Sequence, residues 1–234
     1  MKKKLQILGV IFMIGMCSSV FSESRFNMSD SDYDKLVQES LVSTGNNYRL
    51  KKAIEKIKNG EKVWIAALGG SVTEGAGPAK FTDGYAYQFF RAMKKTYAPG
   101  DGKNLYFNNA GLSGTPSLLG RLRYESDVVK VCGQNPDILI IEFAVNDGGE
   151  TVFQKSFEAI VRDALLADSE TAVIALYSAA TYGNTSAQKR PIADFYEIPQ
   201  VNMLEIVNKA IKQKNFLSKE YYTDLTDIVR EYLE

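Results

Sequence analysis

Histidine does not occur among the 234 residues of this chain. A zinc site built on imidazole and a general base of that type are therefore excluded within this sequence. Cysteine is almost as rare: Cys17 and Cys132 are its two occurrences, which excludes a disulfide scaffold. Lysine plus arginine and aspartate plus glutamate each number 28, so no excess of positive charge indicates a nucleic-acid partner. What is present is an ordinary globular composition, 45% apolar, in a chain long enough for one domain.

The N-terminus has the pattern of a secretory signal peptide. Lysines at positions 2–4 precede an apolar run over residues 5–17, which is shorter than the roughly 20 residues that cross a bilayer. The small residue Ser22 predicts a signal peptide over residues 1–22. Lipid attachment at Cys17 is the less favoured alternative, because the residue before it, a methionine, is large. The sequence therefore predicts a secreted or periplasmic protein without stable membrane insertion after cleavage.

The remaining chain divides into a polar lead-in over residues 23–45 and a domain over residues 46–234. Short apolar runs of strand length alternate in this domain with segments of helical periodicity. The predicted strands are residues 63–68, 105–107, 138–143 and 172–177. Such alternation is typical of βαβ units, so we expect an α/β fold with a doubly wound parallel sheet.

The turn after the first predicted strand reads GGSVTEGAG over residues 69–77. It is not a P-loop, because Ala76 replaces the lysine, and not a dinucleotide fingerprint, because Lys80 replaces the third glycine. It differs from the α/β-hydrolase nucleophile elbow, since Thr73 stands where the last glycine belongs. Ser71 therefore sits on a tight glycine turn, either as a nucleophile or as a helix-capping residue.

Two further turns are expected at the same end of the sheet, where parallel sheets bind their ligands. One reads NAGLSGT over residues 109–115, and the other reads VNDG over residues 145–148. The backbone N–H groups of Ser71 and Gly114 and the side-chain amide of Asn146 have the chemistry of a three-donor oxyanion hole. Together the turns favour Ser71 as a nucleophile.

The three blocks, ending with EFAVND at residues 142–147, resemble the SGNH (GDSL-type) hydrolase superfamily. The GGS opening resembles a bacterial branch that includes carbohydrate esterases. The resemblance implies a flavodoxin-like three-layer α/β/α fold and hydrolysis of carboxylic esters, often acetyl groups on polysaccharides, without a metal or cofactor. It implies Ser71 as the nucleophile, and Ser71, Gly114 and Asn146 as the oxyanion hole. The expected partner is a small-molecule or polysaccharide ester.

The fourth block departs from the family, which ends in D-x-x-H with histidine as the general base. Here either Asp224 is the triad acid with Asp227 in the histidine position, or Asp227 is the acid with Arg230 in that position. We favour the second register, because an apolar residue usually precedes the histidine, as Val229 does. Arginine stays protonated and accepts no proton. The chain ends at Glu234, where the family continues into a last helix, so we expect an incomplete domain.

Two functions stay open on these residues. The first is an esterase whose catalytic histidine is missing from this chain, through a truncated or frameshifted reading of the gene. The second is a non-catalytic pseudoenzyme or carbohydrate-binding protein that retains the pocket. Beside the blocks, we expect Glu142 and Asp147 to be hydrogen-bonded scaffold, and Arg123 to pair with Asp127 one helical turn away.

Overall fold

A computed structural model describes residue 35, residues 38–77 and residues 80–212. The predicted signal peptide and the triad positions Asp224, Asp227 and Arg230 lie outside the described residues. The described chain forms one sheet of six strands in the order β1-β6-β5-β4-β2-β3. The strands are β1 (Leu41–Ser43), β2 (Val63–Gly69), β3 (Leu105–Gly111), β4 (Ile138–Glu142), β5 (Ala172–Tyr177) and β6 (Gln200–Asn202).

Helices connect the strands and cover both faces of the sheet. They are α1 (Tyr48–Lys58), α2 (Ser71–Glu74), α3 (Tyr85–Tyr97), α4 (Ser117–Tyr124), α5 (Thr151–Ala167), α6 (Ser186–Phe195) and α7 (Leu204–Lys212). Helix α4 continues through a π turn at Glu125–Val129 into a last turn at Lys130–Cys132. No helix of the described part of the chain is long and apolar enough to span a bilayer.

The core lies in two layers, one on each face of the sheet, because neighbouring strand residues point to opposite sides. On β2, Ile65 and Ala67 face the layer formed with α1, α3 and α7. Ala66 and Leu68 face the layer formed with α4, α5 and α6. This three-layer α/β/α arrangement confirms the predicted fold class. Burial on both faces explains why β2, β4 and β5 are almost continuously apolar.

The sheet is mostly parallel. Strand β1 is the exception, since it pairs antiparallel with β6 through Leu41 and Val201. The sequence did not predict this antiparallel strand at the edge of the sheet. Leu41–Ser43 is too short to show a period of two, which is why the lead-in showed no strand signal.

The strand register aligns the ends of the three strands that precede the glycine- and asparagine-containing turns. Gly69, the last residue of β2, pairs with Gly111 on β3 and with Glu142 on β4. The three turns that the sequence singled out therefore begin side by side at the carboxyl edge of the sheet. This register positions the candidate site.

Candidate active site

Ser71 is the first residue of α2 and follows the end of β2 by a single intervening residue, Gly70. The short helix ends at Gly75, whose φ of 106° is in the left-handed region that glycine adopts without strain. Ser71 is half-buried, and no described residue forms a hydrogen bond with its hydroxyl. The chain thus turns sharply at the sheet edge and leaves this hydroxyl available.

Asn146 lies on the turn after β4 and contacts Gly70 closely. The N–H of Asn146 donates to the carbonyl of Phe143 at 3.2 Å, which holds the turn against the strand end. A Cβ at position 70 would stand 2.1 Å from Oδ1 of Asn146, a distance that only glycine avoids. The Asn146 carboxamide is therefore adjacent to the backbone that carries Ser71.

Gly114 lies on the turn after β3. The N–H of Leu112 donates to the carbonyl of Gly69 at 3.1 Å, which joins this turn to the end of β2. Gly114 has a φ of 71° and faces open space, since a Cβ at this position would meet no atom within 4 Å. Among the described residues, its N–H donates to no acceptor. An N–H without a protein acceptor is what an oxyanion donor requires.

Asn109 and Gly111 bring the backbones of α2 and β3 together. The Asn109 side chain donates from Nδ2 to the carbonyl of Thr73 at 2.8 Å and accepts the N–H of Gly111 at 2.9 Å. A Cβ at position 111 would stand 2.1 Å from the backbone nitrogen of Glu74. Glycine at this position therefore allows the turn that carries Ser71 to pack directly against β3.

Glu142, at the end of β4, is wholly buried beside the turn that carries Ser71. Its Oε2 accepts the hydroxyl of Thr73 at 3.1 Å, and that hydroxyl lies 2.8 Å from the phenol oxygen of Tyr85. Burial raises the pKa of Glu142 to about 7, and the negative charge of Asp147 adds to the increase. Hydrogen bonds from Thr73 and from the backbone of Gly70 oppose it. Glu142 is hydrogen-bonded scaffold, as the sequence predicted.

Asp147 anchors the turn that carries Asn146. Its Oδ1 accepts the N–H of Ser117 at 2.7 Å, and its Oδ2 pairs with Lys189. Asp147 is buried, so this carboxylate is also scaffold, as predicted. Sequence reasoning missed Lys189, because a single lysine in a polar helix shows no sign of burial before the fold is known.

Arg123 forms the predicted pair with Asp127, with Nη1 3.1 Å from Oδ2. It also donates from Nη2 to the carbonyl of Gly69 at 2.8 Å, which the sequence did not indicate. The guanidinium is buried under the end of β2 and is a second donor to this carbonyl, which also accepts the N–H of Leu112. Arg123 therefore supports the turn that carries Ser71 from one face of the sheet, and Tyr85 lies on the other face.

The structure brings Ser71, Gly114 and Asn146 to neighbouring strand ends, while their catalytic roles stay predictions. The proposed triad acid, Asp227 or alternatively Asp224, lies outside the described residues. Within the described residues, no cluster of three or more histidine, cysteine, aspartate or glutamate side chains forms a candidate metal site.

The fold and the three turns are those of an SGNH-type hydrolase. Residues 67–230 match the GDSL-like Lipase/Acylhydrolase family, and the chain belongs to this family. The family consists of carboxylic ester hydrolases. No curated protein matches the sequence.

Solved structures agree with this assignment. A two-domain esterase (CEX) active on acetylated mannans is 31% identical, with a TM-score of 0.72 over 78% of this chain and 48% of that chain. The same esterase co-crystallized with mannopentaose is 28% identical, with a TM-score of 0.73 over 84% of this chain and 55% of that chain. This chain therefore spans about half the length of these esterases. A mutant of esterase AlinE4, 18% identical with a TM-score of 0.53 over 74% of this chain and 92% of that chain, shares the fold.

Proposed function

We propose that this chain is an ester hydrolase that removes acetyl groups from a polysaccharide, with Ser71 as the nucleophile. The observation that carries the proposal is the register at Gly69, which pairs with Gly111 and Glu142. Because of it, three turns with nucleophile and donor chemistry start from adjacent strand ends. No cofactor is part of the proposed reaction.

In this reaction the Ser71 oxygen attacks the ester carbonyl carbon, and the carbonyl oxygen becomes an oxyanion. The N–H groups of Ser71 and Gly114 and the side-chain amide of Asn146 donate to that oxyanion. Each such donor is worth about 3 to 4 kcal/mol in other hydrolases. The intermediate collapses, the C–O bond to the sugar breaks, and the sugar oxygen leaves with the proton that was taken from Ser71. Water then cleaves the acetyl-serine and releases acetate.

The base that takes the Ser71 proton is the open part of the mechanism, because the chain contains no histidine. We propose Asp227 as the triad acid with Arg230 in the base position, and Asp224 with Asp227 as the alternative. Arginine cannot accept the proton, and a carboxylate is a weak base at neutral pH. Loss of the histidine costs about 10⁶-fold in serine proteases, so we expect the chain as written to turn over esters poorly.

The proposed substrate rests on the relatives. The esterase at 31% identity acts on acetylated mannans, which supports an acetylated glycan as the substrate of this chain. We further propose that residues 1–22 export the protein, secreted or periplasmic, to where such glycans occur. Residues 46–234 would then form the hydrolase domain behind a lead-in over residues 23–45.

The test introduces a histidine at each of the two candidate base positions. Acetate release from acetylated mannan is measured for the chain, for Arg230→His and for Asp227→His, each with a matched variant that also carries Ser71→Ala. We expect low turnover from the chain and a large gain from Arg230→His that Ser71→Ala abolishes. A gain from Asp227→His instead would support the alternative register. If neither variant gains activity that depends on Ser71, the esterase proposal is wrong.

The absence of histidine favours a second candidate, a non-catalytic carbohydrate-binding protein that retains the pocket. This candidate predicts that the chain and its Ser71→Ala variant bind acetylated mannan with equal affinity. It also predicts that neither histidine variant hydrolyses the glycan. Calorimetric titration of both proteins with the acetylated and the deacetylated glycan separates the two candidates.

A further inference from the structure

Glu74 belongs to the same short helix as Ser71, but its carboxylate contacts the turn after β3. Oε2 of Glu74 accepts the backbone N–H of Ser113 at 2.8 Å and also the Ser113 hydroxyl. No lysine or arginine of the described residues forms an ion pair with Glu74. The carboxylate therefore serves as an acceptor for two groups of one residue.

Ser113 is the second residue of a four-residue turn from Leu112 to Thr115. The N–H of Thr115 lies 3.4 Å from the Leu112 carbonyl, and its hydroxyl donates to the same carbonyl at 2.7 Å. Gly114 is the third residue, and its φ of 71° is the value that a type II turn requires there. The N–H of the third residue takes no part in the hydrogen bond that closes such a turn.

The free N–H of Gly114 belongs to the peptide unit that joins it to Ser113. Glu74 holds the residue before this peptide unit through the N–H and the hydroxyl of Ser113. The contacts of Thr115 with the Leu112 carbonyl hold the residue after it, so rotation of the peptide unit is restricted from both sides. The residue before Glu74 is also joined to β3, since Asn109 donates to the carbonyl of Thr73. These hydrogen bonds join helix α2, which carries Ser71, to the strand and the turn that carry Gly114.

The charge of Glu74 works against a reaction that develops negative charge nearby, because like charges repel. Its hydrogen bonds, rather than its charge, then account for its place beside the turn. Glutamine retains an acceptor oxygen and removes the charge, whereas alanine removes both. These two substitutions separate the two properties of the side chain.

We propose that Glu74 is a positioning residue that acts through Ser113 to direct the N–H of Gly114 at the oxyanion. The proposal rests on the proposed function, in which Gly114 supplies one of the three donors. Glu74 itself touches neither the ester nor Ser71 in this scheme. Its contribution is the orientation of one peptide unit.

The first measurement needs no turnover. Backbone ¹⁵N order parameters are measured in the full chain and in its Glu74→Ala and Glu74→Gln variants. At Gly114 we expect a rigid value of about 0.85 in the chain and in Glu74→Gln, and a value below about 0.6 in Glu74→Ala. Glu61→Ala is the matched control, because Glu61 is an exposed glutamate before β2, at the opposite end of that strand from Ser71. An unchanged Gly114 in Glu74→Ala overturns the proposal.

The second measurement is Ser71-dependent hydrolysis in the histidine variant that restores activity. We expect Glu74→Ala to lower kcat about 10- to 100-fold with little change in KM, since a misdirected donor weakens transition-state binding alone. Glu74→Gln should retain kcat. Ser113→Ala, which keeps the N–H contact, should fall between them, and the double variant should lose no more than Glu74→Ala.

The outcomes distinguish the two proposals. If no variant shows Ser71-dependent turnover, the esterase function fails, and the Gly114 order parameter alone decides whether Glu74 orders the turn. If turnover is present and Glu74→Ala changes KM but not kcat, Glu74 contacts the substrate and the positioning role is wrong. Loss of kcat in Glu74→Gln equal to that in Glu74→Ala would assign the effect to charge and would also overturn the proposal.

Discussion

Lys189 and Asp147 form an ion pair with almost no solvent exposure: Nζ lies 2.9 Å from Oδ2, and the side chains are 1% and 0% exposed. Burial lowers the pKa of Lys189, and the charge of Asp147 opposes the decrease. The ammonium also donates to the hydroxyl of Thr185 at 2.8 Å. The pair joins α6 to the turn that carries Asn146.

We predict that Lys189→Met destabilises the protein by about 3 to 5 kcal/mol, because it leaves Asp147 buried and unpaired. The control is Lys103→Met, which removes an exposed pair with Asp101 and should change stability by about 0 to 1 kcal/mol. Urea unfolding of both variants measures the difference. Equal losses would contradict the prediction.

The raised pKa of Glu142 should make the stability of the protein depend on pH. Its pKa is about 7 in the folded protein against an ordinary value of 4.5. Between these values the folded protein holds a proton that the unfolded chain has lost, so stability falls as the pH rises. The loss in the free energy of unfolding reaches its full size, on the order of 3 kcal/mol, above pH 7.

We therefore expect Glu142→Gln to flatten the decline in stability between pH 5 and pH 8. Glutamine cannot ionise, and it retains an oxygen that accepts the Thr73 hydroxyl. Urea unfolding at several pH values tests this expectation, with the unchanged chain as the reference. A decline of the same size in Glu142→Gln would assign the titration to another group.

Two glycine substitutions should have different consequences. Gly70→Ala places a Cβ 2.1 Å from Oδ1 of Asn146, so the carboxamide must move. Gly114→Ala meets no atom within 4 Å but puts alanine at a φ of 71°, which costs about 1 to 2 kcal/mol. We expect Gly70→Ala to abolish Ser71-dependent hydrolysis in the restored variant, and Gly114→Ala mainly to lower stability. Parallel kinetics and urea unfolding check both expectations.

Added imidazole should replace the missing base. Imidazole is about half neutral near its pKa and can accept the Ser71 proton if the site is open to solvent. We expect acetate release from acetylated mannan to rise with imidazole concentration in the chain but not in Ser71→Ala. Identical slopes for the two proteins would show that imidazole acts without Ser71.

The sequence predicted best those elements whose residues are buried on both sides. The runs at 138–143 and 172–177 became β4 and β5 within a residue at each end. For β3 the sequence predicted only residues 105–107 of Leu105–Gly111, because Asn108 and Asn109 are polar. Both continue the strand beside β2, since their side chains find backbone acceptors at Asp127 and Thr73.

The missed elements have physical reasons. Helix α6 contains Pro191, which argues against a helix interior in any prediction from sequence. At the site, the sequence found the three turns because their residue types are unusual. It could not find the contact from Arg123 to the Gly69 carbonyl or the pair between Lys189 and Asp147. Both depend on which strands are neighbours, and local patterns do not encode that.

The register at Gly69 also bears on how the site forms during folding. Ser71, Gly114 and Asn146 are far apart in the sequence and meet only when β3 and β4 have both paired with β2. Parallel pairing through helical crossovers closes long loops, which is slow compared with local helix formation. The reactivity of Ser71 in a refolding experiment should therefore appear after helix formation, and it would report on completion of the central sheet.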